Sequence, residues 1–148
     1  MMLNFILVAV MLTSIIYVII IHFNKNQKML YKLSTTDYLT KVYSRRYLIE
    51  HIEKLVSESV HSGNNFQLLL IDINRFKSIN DTYGHLVGDQ ILEKLGEVLN
   101  MEIEERDVCG RYGGDEFIVV LENVNIDETN KLVEKIRSSF QHSVHKLP

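Results

Sequence analysis

Two adjacent glycines, Gly113 and Gly114, lie between two apolar runs and dictate where the chain has to double back. Glycine takes the φ > 0 conformations that tight two-residue hairpin turns demand. Val108-Cys109 precedes the pair and Phe117-Ile118-Val119-Val120-Leu121 follows it. The pattern predicts a β-hairpin with the glycines at its tip and Asp115 and Glu116 at the start of the outgoing strand. Bare backbone beside two carboxylates suits a phosphate chain and its Mg²⁺, a hard cation that takes oxygen ligands. A merely solvated acidic hairpin carries the same local pattern, so the reading depends on what else the chain brings to this place.

The other acidic position is Asp72. Gln67 to Ile73 is a near-continuous apolar run of strand length, which predicts a strand buried on both faces in the middle of a helix-covered sheet. Burying an unpaired carboxylate is costly. Asp72 is therefore either hydrogen-bonded by a neighbouring loop or in contact with a cation. The polar stretch from Asn74 to His85, with its turn pair Asn80-Asp81, reads as a loop at the strand end, where ligand contacts concentrate. A helix follows from about Gly88 to Met101, with Ile91, Leu92, Leu95, Val98 and Leu99 on one face. Asp89 falls in its first turn, where the helix dipole favours negative charge, and could also accept hydrogen bonds from a base edge. If the strand brings Asp72 beside Asp115 and Glu116, three carboxylates form an oxygen site for one or two Mg²⁺. Two-metal sites of this kind serve in-line displacement at phosphorus, with Lys77 adding positive charge for the transition state.

The remaining pattern is that of a single domain of ordinary size within 148 residues. Ser44 is the expected N-cap of a helix from about Arg45 to Val60, with Leu48, Ile52, Leu55 and Val56 on one face. Asn125-Ile126-Asp127 introduces a last helix with Leu132, Val133, Ile136 and Phe140 aligned. The order after residue 44 is α-β-α-β-β-α, an α+β pattern with helices over a small sheet. A net charge of -3 gives no sign of nucleic-acid binding. One Cys excludes an intramolecular disulfide, and Cys109 in its apolar run is expected to be a buried, reduced thiol. His142 and His145 lack the further ligands of a zinc site and read as a solvated helix end.

From Met1 to Asn24 the chain has no Asp, Glu, Lys or Arg. Leu3 to Phe23 as a helix would be about 30 Å long, one hydrocarbon core. No basic start or cleavage site suggests a signal peptide instead. The stretch 1–24 is thus expected to be a single transmembrane helix, anchoring the chain in the cell membrane, the inner membrane where there are two. Lys25, Lys28 and Lys32 follow it, which places the C-terminal part in the cytoplasm. Residues 25–36 form a juxtamembrane linker in which Met29, Leu30 and Leu33 could continue a helix as a dimer seam.

The run Asp72-Ile73-Asn74-Arg75-Phe76-Lys77-Ser78-Ile79-Asn80-Asp81-Thr82-Tyr83-Gly84-His85-Leu86-Val87-Gly88-Asp89, followed by Arg111-Tyr112-Gly113-Gly114-Asp115-Glu116-Phe117, resembles the GGDEF family of diguanylate cyclases. Asp37-Tyr38-Leu39-Thr40 with Arg45-Arg46 resembles the family's opening motif. The resemblance implies a palm-like nucleotidyl cyclase domain over 37–148 and the condensation of two GTP into cyclic di-GMP, a second messenger. Each subunit of a homodimer would hold one GTP, its 3′-hydroxyl attacking the α-phosphate of the other. By the same resemblance, Asp72, the carbonyl of Ile73, Asp115 and Glu116 bind Mg²⁺, or Mn²⁺ in its place. Glu116 would also help deprotonate the 3′-hydroxyl, and Lys77 would stabilise the transition state. Asn80 and Asp89 would read the guanine, His85 would lie close to the nucleotide, Phe76 would border the phosphates, and Gly113 and Gly114 would leave room.

Departures from the family pattern matter too. Lys41 stands where Gly is usual and Ser44 where Asn is usual, and Asn74 replaces a common Asp. Glu104 stands where the Arg-x-x-Asp product-inhibition motif has its Arg, so that inhibitory site is expected to be absent. The family's later strand and final phosphate-contacting helix have no counterpart, so 37–148 is expected to be the N-terminal two thirds of such a domain. The alternative function is a membrane-anchored, catalytically incomplete remnant that binds nucleotide weakly or acts by association alone.

Overall fold

The structure, a computed structural model, describes residues 11–25, 35–63 and 65–145. It divides into two units, Met1–Ser34 and Thr35–Pro148. The second unit contains β1 (Tyr43–Ser44), α1 (Arg45–Ser62), β2 (Phe66–Asp72), α2 (Phe76–Tyr83), α3 (His85–Glu102), β3 (Val108–Arg111), β4 (Glu116–Glu122) and α4 (Ile126–Val144). Its strands make one mixed sheet in the order β1-β3-β4-β2. β4 runs antiparallel to both β3 and β2, and β1 is parallel to β3.

Helices cover both faces, as the period-2 alternation of β4 requires. Phe117, Val119 and Leu121 point into a core shared with Leu92, Leu95 and Leu99 of α3 and Ile136 of α4. Val120 and Val108 face the other way, onto Leu48 of α1. Phe117, the largest fully buried side chain, anchors the strand directly after Glu116. Burying a side chain of this size contributes about 1.5–3 kcal/mol. The helix ends are built locally. α1 stops at Gly63, left-handed at φ 71°, whose N–H donates to the Ser59 carbonyl at 3.1 Å. α4 starts with a capping box: the Asn125 side chain accepts from Glu128 N–H at 2.9 Å and the Glu128 carboxylate accepts from Asn125 N–H at 3.0 Å.

Three expectations from the apolar pattern need correction. β2 is an edge strand bonded to β4, not the middle of the sheet. Leu69 and Ile71 pack on the core, but Leu68 and Leu70 are 50% and 69% exposed. The run is apolar on both faces, yet α1 packs over β3 and leaves the same face of β2 open. The expected loop from Asn74 to His85 instead contains helix α2, because Phe76 and Ile79 one turn apart pack onto the core. Gly84, at φ 85°, separates α2 from α3, so α3 begins at His85. Asp89 therefore lies beyond the first turn, which holds no acidic residue, and the dipole argument for it fails.

In the first unit, residues 11–25 are helical and exposed throughout. Leu3 to Val10, and the proposed seam residues Met29, Leu30 and Leu33, lie outside the described residues. No helix among the described residues is long and apolar enough to cross a membrane. The expected membrane localisation is overturned on this finding, and the expected transmembrane helix over 1–24 finds no support among the described residues.

Candidate functional site

The register of the sheet sets the geometry. Asp72, the last residue of β2, pairs directly with Glu116, the first of β4. Both side chains are exposed, so Asp72 is not a buried carboxylate and the desolvation argument for it lapses. A different argument replaces it: like charges directly opposite on an antiparallel pair destabilise it, and a cation between them removes that cost. Asp115, half-buried, is the next residue back along the tip. Among the described residues no three or more His, Cys, Asp or Glu gather closely enough to hold a metal ion. The expected three-carboxylate cluster is thus represented by an opposed pair with Asp115 adjacent. Ile73 is buried, and its carbonyl accepts the Phe76 N–H at 3.1 Å, which leaves one lone pair free.

The hairpin tip is Tyr112 to Asp115 rather than a two-residue turn, and neither of its glycines has a left-handed backbone. It closes through Tyr112 and Gly113 N–H groups donating to the Glu116 carbonyl at 2.8 and 3.3 Å. Crowding within the domain calls for neither glycine, since the one close neighbour is the end of a flexible side chain. A Cβ on Gly113 would come within 3.0 Å of Glu116 Oε2, whereas over Gly114 there is nothing within 4 Å. The tip thus offers a bare, open backbone beside the carboxylates.

α2 and α3 carry the other candidates. Lys77 is exposed in the first turn of α2 and has no ion-pair partner among the described residues. Phe76 packs its ring against the core. Arg75, between strand and helix, holds a left-handed φ of 59°, a conformation that costs a side-chain-bearing residue about 1 kcal/mol. Asn80 is half-buried, and its carboxamide oxygen is fully enclosed without a hydrogen-bond partner. His85 and Asp89 are exposed on α3. A cleft of about 1270 Å³ runs along β2 and α4, floored by Ile79 of α2 and Ile91 and Leu95 of α3, and among the candidate residues it reaches Asp72 and Ile73. It is a sheet-edge groove, separate from the hairpin tip.

One constellation escaped the sequence reading. Arg111 donates from Nε and Nη2 to the Gly114 carbonyl at 3.0 and 2.7 Å, and from Nη1 to Asp37 Oδ1 at 3.2 Å. That oxygen also accepts the Thr40 N–H at 2.9 Å and the Thr40 hydroxyl at 2.7 Å. Burial alone would raise the Asp37 carboxyl, but the Thr40 donors and the Arg111 charge together hold it below its ordinary value. Asp37 and Thr40 at the start of the domain are thereby tied to the hairpin tip. The Asp-x-x-Thr spacing marks a side-chain-closed turn, but nothing local points from it to Arg111. Tyr112 is flanked as well, with the Arg45 guanidinium 4.5 Å from its ring centre.

Residues 34–147 match the family described as "Diguanylate cyclase, GGDEF domain". The chain belongs to the GGDEF family. Over 105 residues it is 40% identical to diguanylate cyclase DosC of Escherichia coli, covering 71% of this chain and 23% of that protein. It is 37% identical over 106 residues to the response regulator PleD of Caulobacter vibrioides, again 23% of that protein. Among solved structures it resembles diguanylate cyclase SiaD of Pseudomonas aeruginosa, in complex with its activator SiaC, at TM-score 0.69 and 31% identity, covering 86% of this chain and 52% of that one. The GGDEF domain of DgcB from Caulobacter crescentus, in complex with c-di-GMP, gives 0.68 and 30%, over 70% and 61% of the two chains. The fold is accordingly the α+β, mixed-sheet fold of GGDEF cyclases. The chain spans about a quarter of the curated relatives named here. The expected C-terminal truncation finds no support in these matches.

Proposed function

We propose that the GGDEF domain of this chain condenses two GTP into cyclic di-GMP, releasing two pyrophosphates. The observation that carries the reading is the register that sets Asp72 opposite Glu116, beside the open backbone of Gly114. An exposed pair of opposed carboxylates with a spare carbonyl lone pair suits Mg²⁺, or Mn²⁺, which takes only one or two protein carboxylates and completes its shell with phosphate and water. Asp72, the Ile73 carbonyl, Asp115 and Glu116 are the residues to hold it. When bound, the metal neutralises phosphate charge and lowers the pKa of an oxygen it polarises.

The chain's own residues do the rest. Gly113 and Gly114 let the triphosphate lie against the tip, and Phe76 walls it from the core. The unpaired Lys77 ammonium meets the charge that develops on the phosphates. Asn80 and Asp89 hydrogen-bond the guanine edge, with His85 alongside. Glu116 accepts the proton of the attacking 3′-hydroxyl. One domain holds one GTP, so two copies must face each other, the reacting hydroxyl of each aimed at the α-phosphate of the other.

The test is product formation by the full chain with GTP and Mg²⁺ or Mn²⁺, followed by chromatography. Asp115→Ala is expected to cut turnover by about 10²–10³-fold or more. Product formation that persists unchanged in that variant, or none from the unaltered chain with either metal, would overturn the reading.

A further inference from the structure

Gly88 is the fourth residue of α3 and is buried. Its backbone is ordinary helix, absent from the left-handed glycines, and its N–H donates to the Gly84 carbonyl at 3.3 Å. The path of the chain therefore does not call for glycine, and alanine is the better helix former. Space calls for it. A Cβ on residue 88 would run into the Asn80 carboxamide oxygen, while lying 3.0 Å from the carboxamide carbon and 3.3 Å from Phe76 Cζ. That same oxygen is the enclosed acceptor without a partner. Buried acceptors are nearly always satisfied, and one held unsatisfied calls for an explanation.

We propose that Gly88 is a positioning residue for Asn80: its bare face lets the carboxamide lie flat against α3, with its remaining polar edge fixed for a guanine base. The inference rests on the GTP reading above. The obstacle to a larger residue is the end of a short side chain rather than backbone. Alanine at 88 would thus displace the carboxamide and leave the helix in place. Gly96, further along α3, behaves oppositely, because a Cβ there would strike the Thr40 backbone carbonyl. The two glycines of one helix therefore separate base selection from packing.

The experiment is calorimetric titration of the full chain with GTP and with ATP, Mg²⁺ present, on the unaltered protein, Gly88→Ala, Asn80→Ala and the double variant, with a Tm for each. The unaltered chain is expected to prefer GTP. Gly88→Ala should lose that preference by about ten- to a hundred-fold, as when a site's hydrogen-bonding group is misplaced, with Tm unchanged or higher. The double variant should select no worse than Asn80→Ala alone, since both changes act through one carboxamide. Full GTP preference in Gly88→Ala overturns the inference and leaves the GTP reading standing. An unaltered chain that binds GTP and ATP alike overturns both. A Tm lowered by several degrees in Gly88→Ala, and not restored by removing Asn80, makes Gly88 a packing residue and overturns the inference.

Discussion

Arg111→Met should loosen the hairpin tip and the domain's opening turn together. The Arg111 and Asp37 side chains are only 17% and 18% exposed, so solvent screens the pair weakly. The substitution removes one charged hydrogen bond to Asp37 and two to the Gly114 carbonyl. A hydrogen bond involving a charged group is worth about 1.5–3 kcal/mol net. Asp37 keeps both Thr40 donors, and Gly114 is exposed enough for water to replace its partners. The loss should therefore lie near the low end, about 2–3 kcal/mol in all, or roughly 8–12 °C in Tm for a domain of this size. Urea unfolding of the unaltered chain, Arg111→Met, Asp37→Asn and the double variant measures it. The coupling energy should be about 1–2 kcal/mol. The pH dependence has a definite sign. The Asp37 carboxyl is held below its ordinary value in the fold, so its stabilisation is present above a pH of about 4 and is lost as pH falls through the lowered native value. The gap between the unaltered chain and Arg111→Met should narrow over that acidic range. Two changes that simply add, or a variant within about 0.5 kcal/mol of the unaltered chain, would refute the account.

Gly96→Ala should cost about 1–3 kcal/mol in urea unfolding through overpacking against the Thr40 backbone, whereas equal stability would mean that the loop yields freely. Burial pushes the Cys109 thiol up to about 12. Folding thus favours the neutral thiol, and this contribution is complete below about pH 8.5 and lost as pH climbs towards 12. Cys109→Ala should flatten the fall in urea midpoint between about pH 9 and 11, and an unchanged slope would show that other groups cause it. Cyclic di-GMP should not inhibit the chain non-competitively through the turn before β3. Glu104 there is paired with Arg106 at 3.1 Å, and buried Asp107 accepts the Glu104 and Glu122 N–H groups at 3.2 and 3.3 Å. A carboxylate at 104 repels phosphate. Product inhibition that fails to compete with GTP and disappears on changing Asp107 would contradict this.

Much of the fold was legible because it rests on local signals. The glycine pair between apolar runs marked the β3–β4 hairpin, and Asn125-Ile126-Asp127 marked the start of α4. The 3.6-residue spacing of Leu92, Leu95 and Leu99 marked α3. The two motifs that carry the candidate residues, Asp72 to Asp89 and Arg111 to Phe117, were legible because each is contiguous in sequence. Helix α2 was missed because its apolar content is only two residues that pay off when packed on a core. Periodicity cannot register a contact with residues far along the chain.

What the sequence by itself determined is most of the elements, their order and the chemistry of the β-hairpin tip, because propensity, caps and alternation act within a few residues. Only the tertiary structure decided the rest. Hydrogen bonding across β4 made β2 an edge and put Asp72 opposite Glu116. A 74-residue separation closed between Asp37 and Arg111, and the approach of α2 to α3 set the Asn80 carboxamide against Gly88. Each of these depends on how helices and strands share one core. That sharing is a many-body packing problem, and no window of the chain contains it.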